Sequence, residues 1–209
     1  MKQSQNVILC LPLLLLLAAC SSEAPKAAAK KVEEPAQPPE PVSAQWAFHQ
    51  MYLAARSWAV DAQPLRLANV PLPEFKSEKG KAGAWQATFV SDSLGRARTF
   101  TYSVVETAGN LHKGVFAGLE EGWSGRSGQA KPFLVAAFKV DTTAALETAL
   151  KKGAEYAKKH PDMPINFLLE ATPRFPDPVW RVIWGESVGT SGFSILVDAT
   201  TGEYKQTLR

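Results

Sequence analysis

The sequence predicts an α+β domain, with antiparallel strands in the sheet and helices packed on one of its faces. In two separate stretches apolar residues recur at helical spacing, and short segments of alternating apolar and polar residues follow each stretch in the same order. Size is the third observation, because residues 43–209 contain all six tryptophans and are numerous enough to bury one hydrophobic core.

The first predicted helix follows Ser43, a residue type that caps helix N-termini, and Pro64 bounds its end. Its apolar stripe recurs at steps of four, three and four residues, at Ala47, Met51, Ala54 and Trp58. The second predicted helix is capped by Asp141 or Thr143 and is followed by Pro161. Its apolar stripe consists of Leu146, Ala149, Leu150, Ala154 and Ala157, and its last turn carries the cations Lys158, Lys159 and His160.

Three strands are predicted after each helix. Those after the first are Leu65–Val70, Trp85–Ser91 and Ala97–Val105, and those after the second are Ile165–Ala171, Val179–Glu186 and Phe193–Val197. Gly- and Ser-containing loops at 92–96 and 187–192 join hairpins. The repeated order predicts two related units, 43–108 and 141–209, whose strands form one continuous sheet or two facing sheets. Coincidence is the alternative, since α+β proteins often produce similar strings.

Between the two units lies an insert, residues 109–140. A strand is predicted near Val115–Leu119, followed by a loop rich in glycine and serine that contains Trp123 and Arg126. A further apolar strand, Phe133–Val140, is predicted to lead into the second helix.

The second unit contains a W-x-V strand, Trp180 to Val182, followed by the ending V-D-A-T-T-G-E, Val197 to Glu203. With these motifs the stretch from Thr143 to Leu208 resembles the PepSY-type domain of bacterial envelope proteins. It implies a fold close in shape to cystatin-like proteins, and roles in restraining peptidases or in envelope binding. The first unit lacks the V-D-A-x-T-G-E ending. Asp198 is expected to accept backbone hydrogen bonds within the closing turn, where Gly202 takes a positive φ.

The N-terminus carries an export signal. Lys2 precedes an apolar run, Val7–Leu17, that is shorter than the roughly 20 residues a membrane-spanning helix needs. Leu17-Ala18-Ala19-Cys20 resembles the bacterial lipobox. The resemblance implies a diacylglyceryl thioether on the Cys20 sulfur, cleavage before Cys20 and acylation of the new amine, which anchors the chain in a membrane. The alternative is an ordinary secretory signal, with Cys20 incidental.

Residues 1–19 are therefore predicted to be a signal peptide, and residues 20–42 a lipid anchor and disordered linker rich in proline and alanine. The linker acts either as a passive spacer or as a leash that holds the domain off the membrane. Because Ser21, rather than aspartate, follows Cys20, we expect an outer-membrane location facing the periplasm if the organism has two membranes.

Composition argues against several kinds of site. Cys10 and Cys20 are the only cysteines, so the folded part has no disulfide, thiolate ligand or cysteine nucleophile. The net charge of +3 falls to +2 without Lys2, and no basic stripe indicates nucleic acid. His49, His112 and His160 lie too far apart in sequence for a zinc motif. We predict no catalytic residue, metal or cofactor.

The predicted function is a non-enzymatic binding or interaction domain of the envelope, which grips a peptide, a protein or the cell wall with an exposed sheet edge or face. Trp123 and Arg126 are the candidate binding residues, because an aromatic ring and a guanidinium on one loop suit a sugar ring or a carboxylate of peptidoglycan or a peptide. The alternatives are a hydrolase acting on the cell wall or on peptides, and a passive structural lipoprotein.

Overall fold

One long antiparallel sheet forms the framework of the domain. The computed structural model describes residues 39–73, 75, 77–107, 111–125 and 130–209, all of which belong to one compact unit. The strands of the sheet are β2 (Gln63–Asn69), β4 (Ala84–Ser91), β5 (Arg96–Ser103), β6 (Gly114–Gly122), β7 (Ile165–Glu170), β8 (Val179–Trp184), β9 (Phe193–Asp198) and β10 (Tyr204–Leu208). They follow the order β10-β9-β8-β7-β2-β4-β5-β6, so the strands form one continuous sheet. A separate two-stranded ribbon joins β1 (Val42–Ser43) to β3 (Lys81–Ala82).

The described helices pack on one face of this sheet. They are α1 (Ala44–Trp58), α2 (Thr142–Lys152) and α3 (Ala154–Lys159), with a 3₁₀ turn at Val135–Ala137. Helix α1 contacts β2, β4, β5 and β6, whereas α2 contacts β8, β9 and β10. Leu67 of β2 and Leu169 of β7 are cross-strand partners, and both are completely buried in the core that also takes up the inner sides of α1 and α2. The α+β class with helices on one face is confirmed.

The sheet has two halves of four strands that meet where β2 pairs with β7. Strands β2, β4, β5 and β6 follow α1, and β7 to β10 follow α2 and α3. A buried pair of amides lies at the junction. The Asn69 amide donates to Asn166 Oδ1 at 2.7 Å, and Asn69 Oδ1 accepts the Phe167 N–H at 2.7 Å. These bonds satisfy polar groups that would be costly to bury unpaired.

The strand predicted at Phe133–Val140 is wrong. Phe133 and Phe138 are buried in the core, but the segment between them forms the 3₁₀ turn. The N–H groups of Lys139 and Val140 both donate to the carbonyl of Ala199, which is incompatible with a regular strand ladder. Strand β10 was not predicted, because Tyr204–Leu208 is largely polar and carries little alternation.

Helix boundaries also differ from the sequence pattern. The stripe that predicts one second helix is divided into α2 and α3 at Gly153. A Cβ on this glycine would lie 3.0 Å from Ile195 Cδ1, so the small residue permits close approach to the sheet. Asp141 caps α2 as expected. Ser43 occupies the N-cap position of α1, but its side chain makes no capping bond.

The closing turn of the second half has the predicted geometry. Asp198 Oδ1 accepts the N–H groups of Thr200 at 2.7 Å and Thr201 at 2.9 Å. Gly202 has a φ of 80° and donates to the Asp198 carbonyl. The motif therefore acts locally, reversing the chain between β9 and β10.

Candidate functional site

Alternate side chains of the sheet point away from the helices and form a second face, which we call the open face. The cross-strand registers place on it residues from the six inner strands of the sheet, namely Arg66, Ala68, Gln86, Thr88, Thr99, Thr101, Leu168, Glu170, Arg181, Ile183, Ser194 and Leu196. In the part of the chain that the structure describes, no helix packs on this face. At one corner Trp123 and Ala130 pack on Leu65, Val90 and Ala97. Leu168, Ile183, Ser194 and Leu196 of this face are also buried.

The centre of the open face is apolar. Leu168 and Ile183 are each 3% exposed although they lie on the side without helices. Leu168 has Ala68 and Arg181 as its cross-strand neighbours. Antiparallel sheets that face water on one side usually carry polar residues there, so this apolar centre is a departure from the common pattern.

A groove of about 180 Å³ lies over this apolar centre. Its floor includes Ala68, Leu168 and Ile183, and Gln86 and Thr88 of β4 form one wall. An amide and a hydroxyl each offer both donor and acceptor groups, which suits a peptide backbone lying in the groove.

The groove continues into a larger cleft at one end of the sheet. This cleft has a volume of about 620 Å³ and lies between the loop that follows β2 and the segment Pro161–Ile165. Groove and cleft share Pro71, Asn166, Phe167 and Glu186 as lining residues. The two pockets are therefore adjacent on the molecule.

Charged residues lie along both pockets. Arg66 lines the groove, and its Nε lies 3.6 Å from Glu170 Oε2. Glu186 lines both pockets, and the cleft also carries Asp162 and the pair Glu78–Lys79.

Arg181 is the half-buried cation of the open face. Its Nε donates to a neutral acceptor, Ser194 Oγ, at 3.1 Å. Burial lowers the pKa of the Arg181 guanidinium, and the negative charge of Glu170 offsets part of that effect. Glu170 itself lies 3.6 Å from Arg66 Nε. Within the described residues, Arg181 therefore has no carboxylate within ion-pair distance.

Lys205 and Asp198 form the second ion pair of the open face. Lys205 Nζ lies 2.8 Å from Asp198 Oδ2. Burial would raise the pKa of Asp198, but the bond from Lys205 and the N–H groups of the turn outweigh it and lower the pKa overall. Lys205 is thus a cation with a carboxylate partner.

The residues predicted to bind a ligand do not form a complete site in the described part of the chain. The Trp123 indole N–H donates to Asp92 Oδ1 at 2.8 Å, and the ring packs on Leu65 and Val90. Arg126 and Cys20 lie outside the described residues, as do the signal peptide and nearly all of the linker. The binding role of Trp123 and Arg126 stays a prediction.

The histidines lie apart from one another. His49 is exposed on α1, and His160 follows α3 with its ring against Tyr156. His112 Nδ1 lies 2.7 Å from Glu106 Oε1 in a loop. No group of three metal-ligating side chains occurs among the described residues.

Two further pairs of residues have structural contacts. Glu120 and Glu121 point to opposite faces, since Glu120 is the cross-strand partner of Arg98 and Glu121 that of Ala97. Trp180 and Trp184 are buried in the core, and the Trp180 indole donates to the Val140 carbonyl at 2.8 Å.

Arg181 is the one charged residue of the strand V-W-R-V-I-W and lies on the open face, but it lines neither the groove nor the cleft. The sequence does not reveal that Glu170 lies 3.6 Å from Arg66 rather than pairing with Arg181.

Comparisons with known proteins add little. No family model matches this chain, and no curated protein matches it. The solved structure of a "putative lipoprotein" from Clostridium difficile 630 is similar over 77% of this chain and 91% of its own, with 11% identity and a TM-score of 0.45. None of the described helices is long and apolar enough to cross a membrane. The resemblance to PepSY-type domains stays a prediction.

Proposed function

We propose that this chain is a lipid-anchored protein of the bacterial envelope whose open face binds a peptide or protein partner without chemical turnover. The groove on the open face supports this proposal. It lies on the side of the sheet where the described chain places no helix. Beside the buried Leu168 and Ile183, the exposed Gln86 and the half-buried Thr88 offer donor and acceptor groups to the backbone of an extended partner.

The anchor rests on the sequence. The apolar run followed by Leu17-Ala18-Ala19-Cys20 supports lipidation at Cys20, and Ser21 supports an outer-membrane location. The predicted linker then joins the anchor to the domain that carries the open face, and it ends before residue 42, because Val42 belongs to β1 and pairs with Ala82. Such a tether raises the effective concentration of the domain near partners on the same membrane.

Relatedness of the two halves is part of the proposal. Each half places one helical segment before four antiparallel strands, and the halves meet at their first strands, β2 and β7. This arrangement supports an internal duplication of a PepSY-like unit. Fusing two such units doubles the width of the sheet and creates the groove at their junction, which neither half would contain alone.

Site-specific photo-crosslinking in intact cells tests the binding role. The exposed Gln86 and the half-buried Thr88 on the open face are replaced, one at a time, by a photoreactive amino acid in the full chain. Exposed Glu147 on α2 is the matched control on the helical face. We expect an adduct of one defined mass, identified by mass spectrometry, from the open face and none from position 147. Equal labelling from both faces, or none from either, contradicts the proposal and favours a passive structural lipoprotein.

A second experiment separates binding from hydrolysis. Substituting His49, His112 and His160 together with glutamine removes every imidazole of the chain. We expect the crosslink from position 88 to persist, because these side chains lie in separate places and none of them lines the groove. Loss of a peptidase or cell-wall hydrolase activity that the parent chain shows, with unchanged thermal unfolding, would establish the enzyme instead.

A further inference from the structure

We propose that the edge strand β6 pairs antiparallel with β6 of a second copy of this chain, so that two domains share one continuous sheet. This inference concerns a surface other than the groove, and it holds or fails independently of the proposed binding function. Three observations carry it: the unprotected length of β6, its exposed apolar side chains and the self-complementary order of its charges.

Strand β6 is an open edge of the sheet. It stands last in the strand order and pairs with β5, and no other strand of the described chain lies along its outer side. Sheet edges are usually protected by short strands, by lysine or by proline. Strand β6 has nine residues and contains neither lysine nor proline, whereas β10 at the opposite edge has five residues and carries Lys205. The outward N–H and C=O groups of β6 are therefore available to another strand.

The side chains of β6 favour a protein partner over water. Leu119 is 89% exposed, Phe116 41% and Val115 38%. A bulge lies in the middle of the strand, because Arg98 pairs with Glu120 but Phe100 pairs with Ala117. The bulge bends the strand and presents Leu119 to solvent. A long edge strand with exposed apolar side chains is typical of association between strands.

The order of charges along β6 selects a second copy as the partner. Lys113 lies four positions before Ala117, and Glu121 lies four positions after it. Antiparallel pairing centred on Ala117 therefore brings Lys113 of each copy next to Glu121 of the other, which gives two ion pairs related by the two-fold axis. Parallel pairing would instead place each lysine beside its own counterpart. The bulge shifts the register by one residue, which two long side chains can span.

Lys113 and Glu121 are both available for such a contact. Each side chain is exposed, and neither belongs to an ion pair within the part of the chain that the structure describes. Glu120, in contrast, is already engaged, because its Oε1 accepts the Trp58 indole N–H at 2.9 Å and lies 3.8 Å from Arg98. Charge complementarity of this kind fixes register and partner choice more than affinity.

Oxidative cross-linking of the full chain tests the pairing. Ala117→Cys places a thiol at the two-fold axis, where facing Cα atoms of paired strands lie about 4.5–5.5 Å apart, within reach of a disulfide. Tyr204→Cys places a thiol on the opposite edge and is the matched control, and the parent chain gives the background. We expect a disulfide-linked homodimer from Ala117→Cys, in intact cells and in detergent micelles, and none from Tyr204→Cys. Thermal unfolding shows that each variant is folded.

Sedimentation equilibrium in a density-matched neutral detergent tests the register. Lys113→Glu and Glu121→Lys each replace two attractive contacts by two repulsive ones, so each should weaken the dimer about tenfold. The two substitutions together restore opposite charges, and this double variant should recover the dissociation constant of the parent chain.

A substitution at Leu119 tests the apolar contact by the same measurement. Leu119→Lys places on the edge the residue type that natural edges use against pairing, and it should also weaken the dimer about tenfold. Leu134→Lys is the matched control, because Leu134 is 70% exposed but lies outside the sheet. This control should leave the dimer unchanged.

Each result decides a separate point. A parent chain that stays monomeric at every concentration, or equal disulfide yields from positions 117 and 204, overturns pairing through β6. If the double charge variant is as weak as the single variants, the antiparallel register centred on Ala117 is wrong. A disulfide from position 117 to a different protein in cells overturns the second copy as the occupant of this edge. In all these cases the crosslink from positions 86 and 88 still decides whether the open face binds a partner.

Discussion

A single carboxylate stabilises the N-termini of two helices, and removing it should cost more than removing an ordinary cap. Asp141 Oδ1 accepts the N–H of Thr142 at 2.7 Å in α2 and the N–H of Gln45 at 3.0 Å in α1. The N-terminus of α1 has no side-chain cap of its own, since Ser43 makes no such bond. Asp141 also places a negative charge near two helix N-termini, where the helix dipole favours it.

The size of the destabilisation expected for Asp141→Ala follows from these two hydrogen bonds. Loss of one N-cap side chain costs about 1 kcal/mol in a typical helix, so Asp141→Ala should lower the free energy of unfolding by about 2 kcal/mol. For a domain of this size that corresponds to a fall in Tm of roughly 4–8 °C. Asp141→Asn keeps an acceptor and loses the charge, so we expect about half of that effect.

Urea denaturation followed by circular dichroism measures these changes, with Ser43→Ala as the matched control. Ser43 occupies the cap position of α1 without capping it, so its replacement should change the free energy of unfolding by less than about 0.5 kcal/mol. If Ser43→Ala destabilises the protein as much as Asp141→Ala, the shared cap at Asp141 is refuted.

Two further predictions concern the anchor and acid stability. Cys20→Ser should abolish incorporation of labelled palmitate and leave an uncleaved or soluble product. The prediction of a lipid anchor is contradicted if the intact mass of the parent protein shows an unacylated mature chain that begins at a residue other than Cys20. Hydrogen bonds from Ser91 and from the N–H of Ser93 lower the pKa of Asp61 from 3.8 to about 2. Because the lowered pKa belongs to the folded state, the stabilisation is complete above pH 3.8 and is lost as the pH falls through about 2. Asp61→Asn should therefore flatten the acid limb of the Tm profile between these values, and an unchanged limb would refute that contribution.

Much of the fold was predictable because its strands are half-buried. The alternation of Trp85, Ala87 and Phe89 places three buried side chains on the face that the helices cover, as the period of two requires. Likewise Asp198 and Gly202 form the turn that their side-chain chemistry favours. These features depend on neighbours close in sequence, so local patterns are enough to predict them.

Other features depend on contacts between distant residues. The segment Phe133–Val140 is as apolar as a strand, but its backbone bonds to Ala199 rather than to a neighbouring strand. Strand β10 forms because β9 offers it an edge, although its own residues are largely polar. The groove depends on the pairing of Leu168 with Ala68, two residues from two strands. Sequence periodicity contains no information about such pairings.

The topology explains why one face of the sheet lacks helices. Strands are added outward from β2 in one half and from β7 in the other, and both helical segments pack on the side that Leu67 and Leu169 share. One face thus receives both helical segments, side by side, and the other receives none in the described chain. The registers place Leu168 and Ile183 on that second face, and each is only 3% exposed although no described helix packs there. Beside them the exposed Gln86 and the half-buried Thr88 are polar. The second face therefore offers a partner backbone hydrogen-bonding groups rather than uncovered apolar surface.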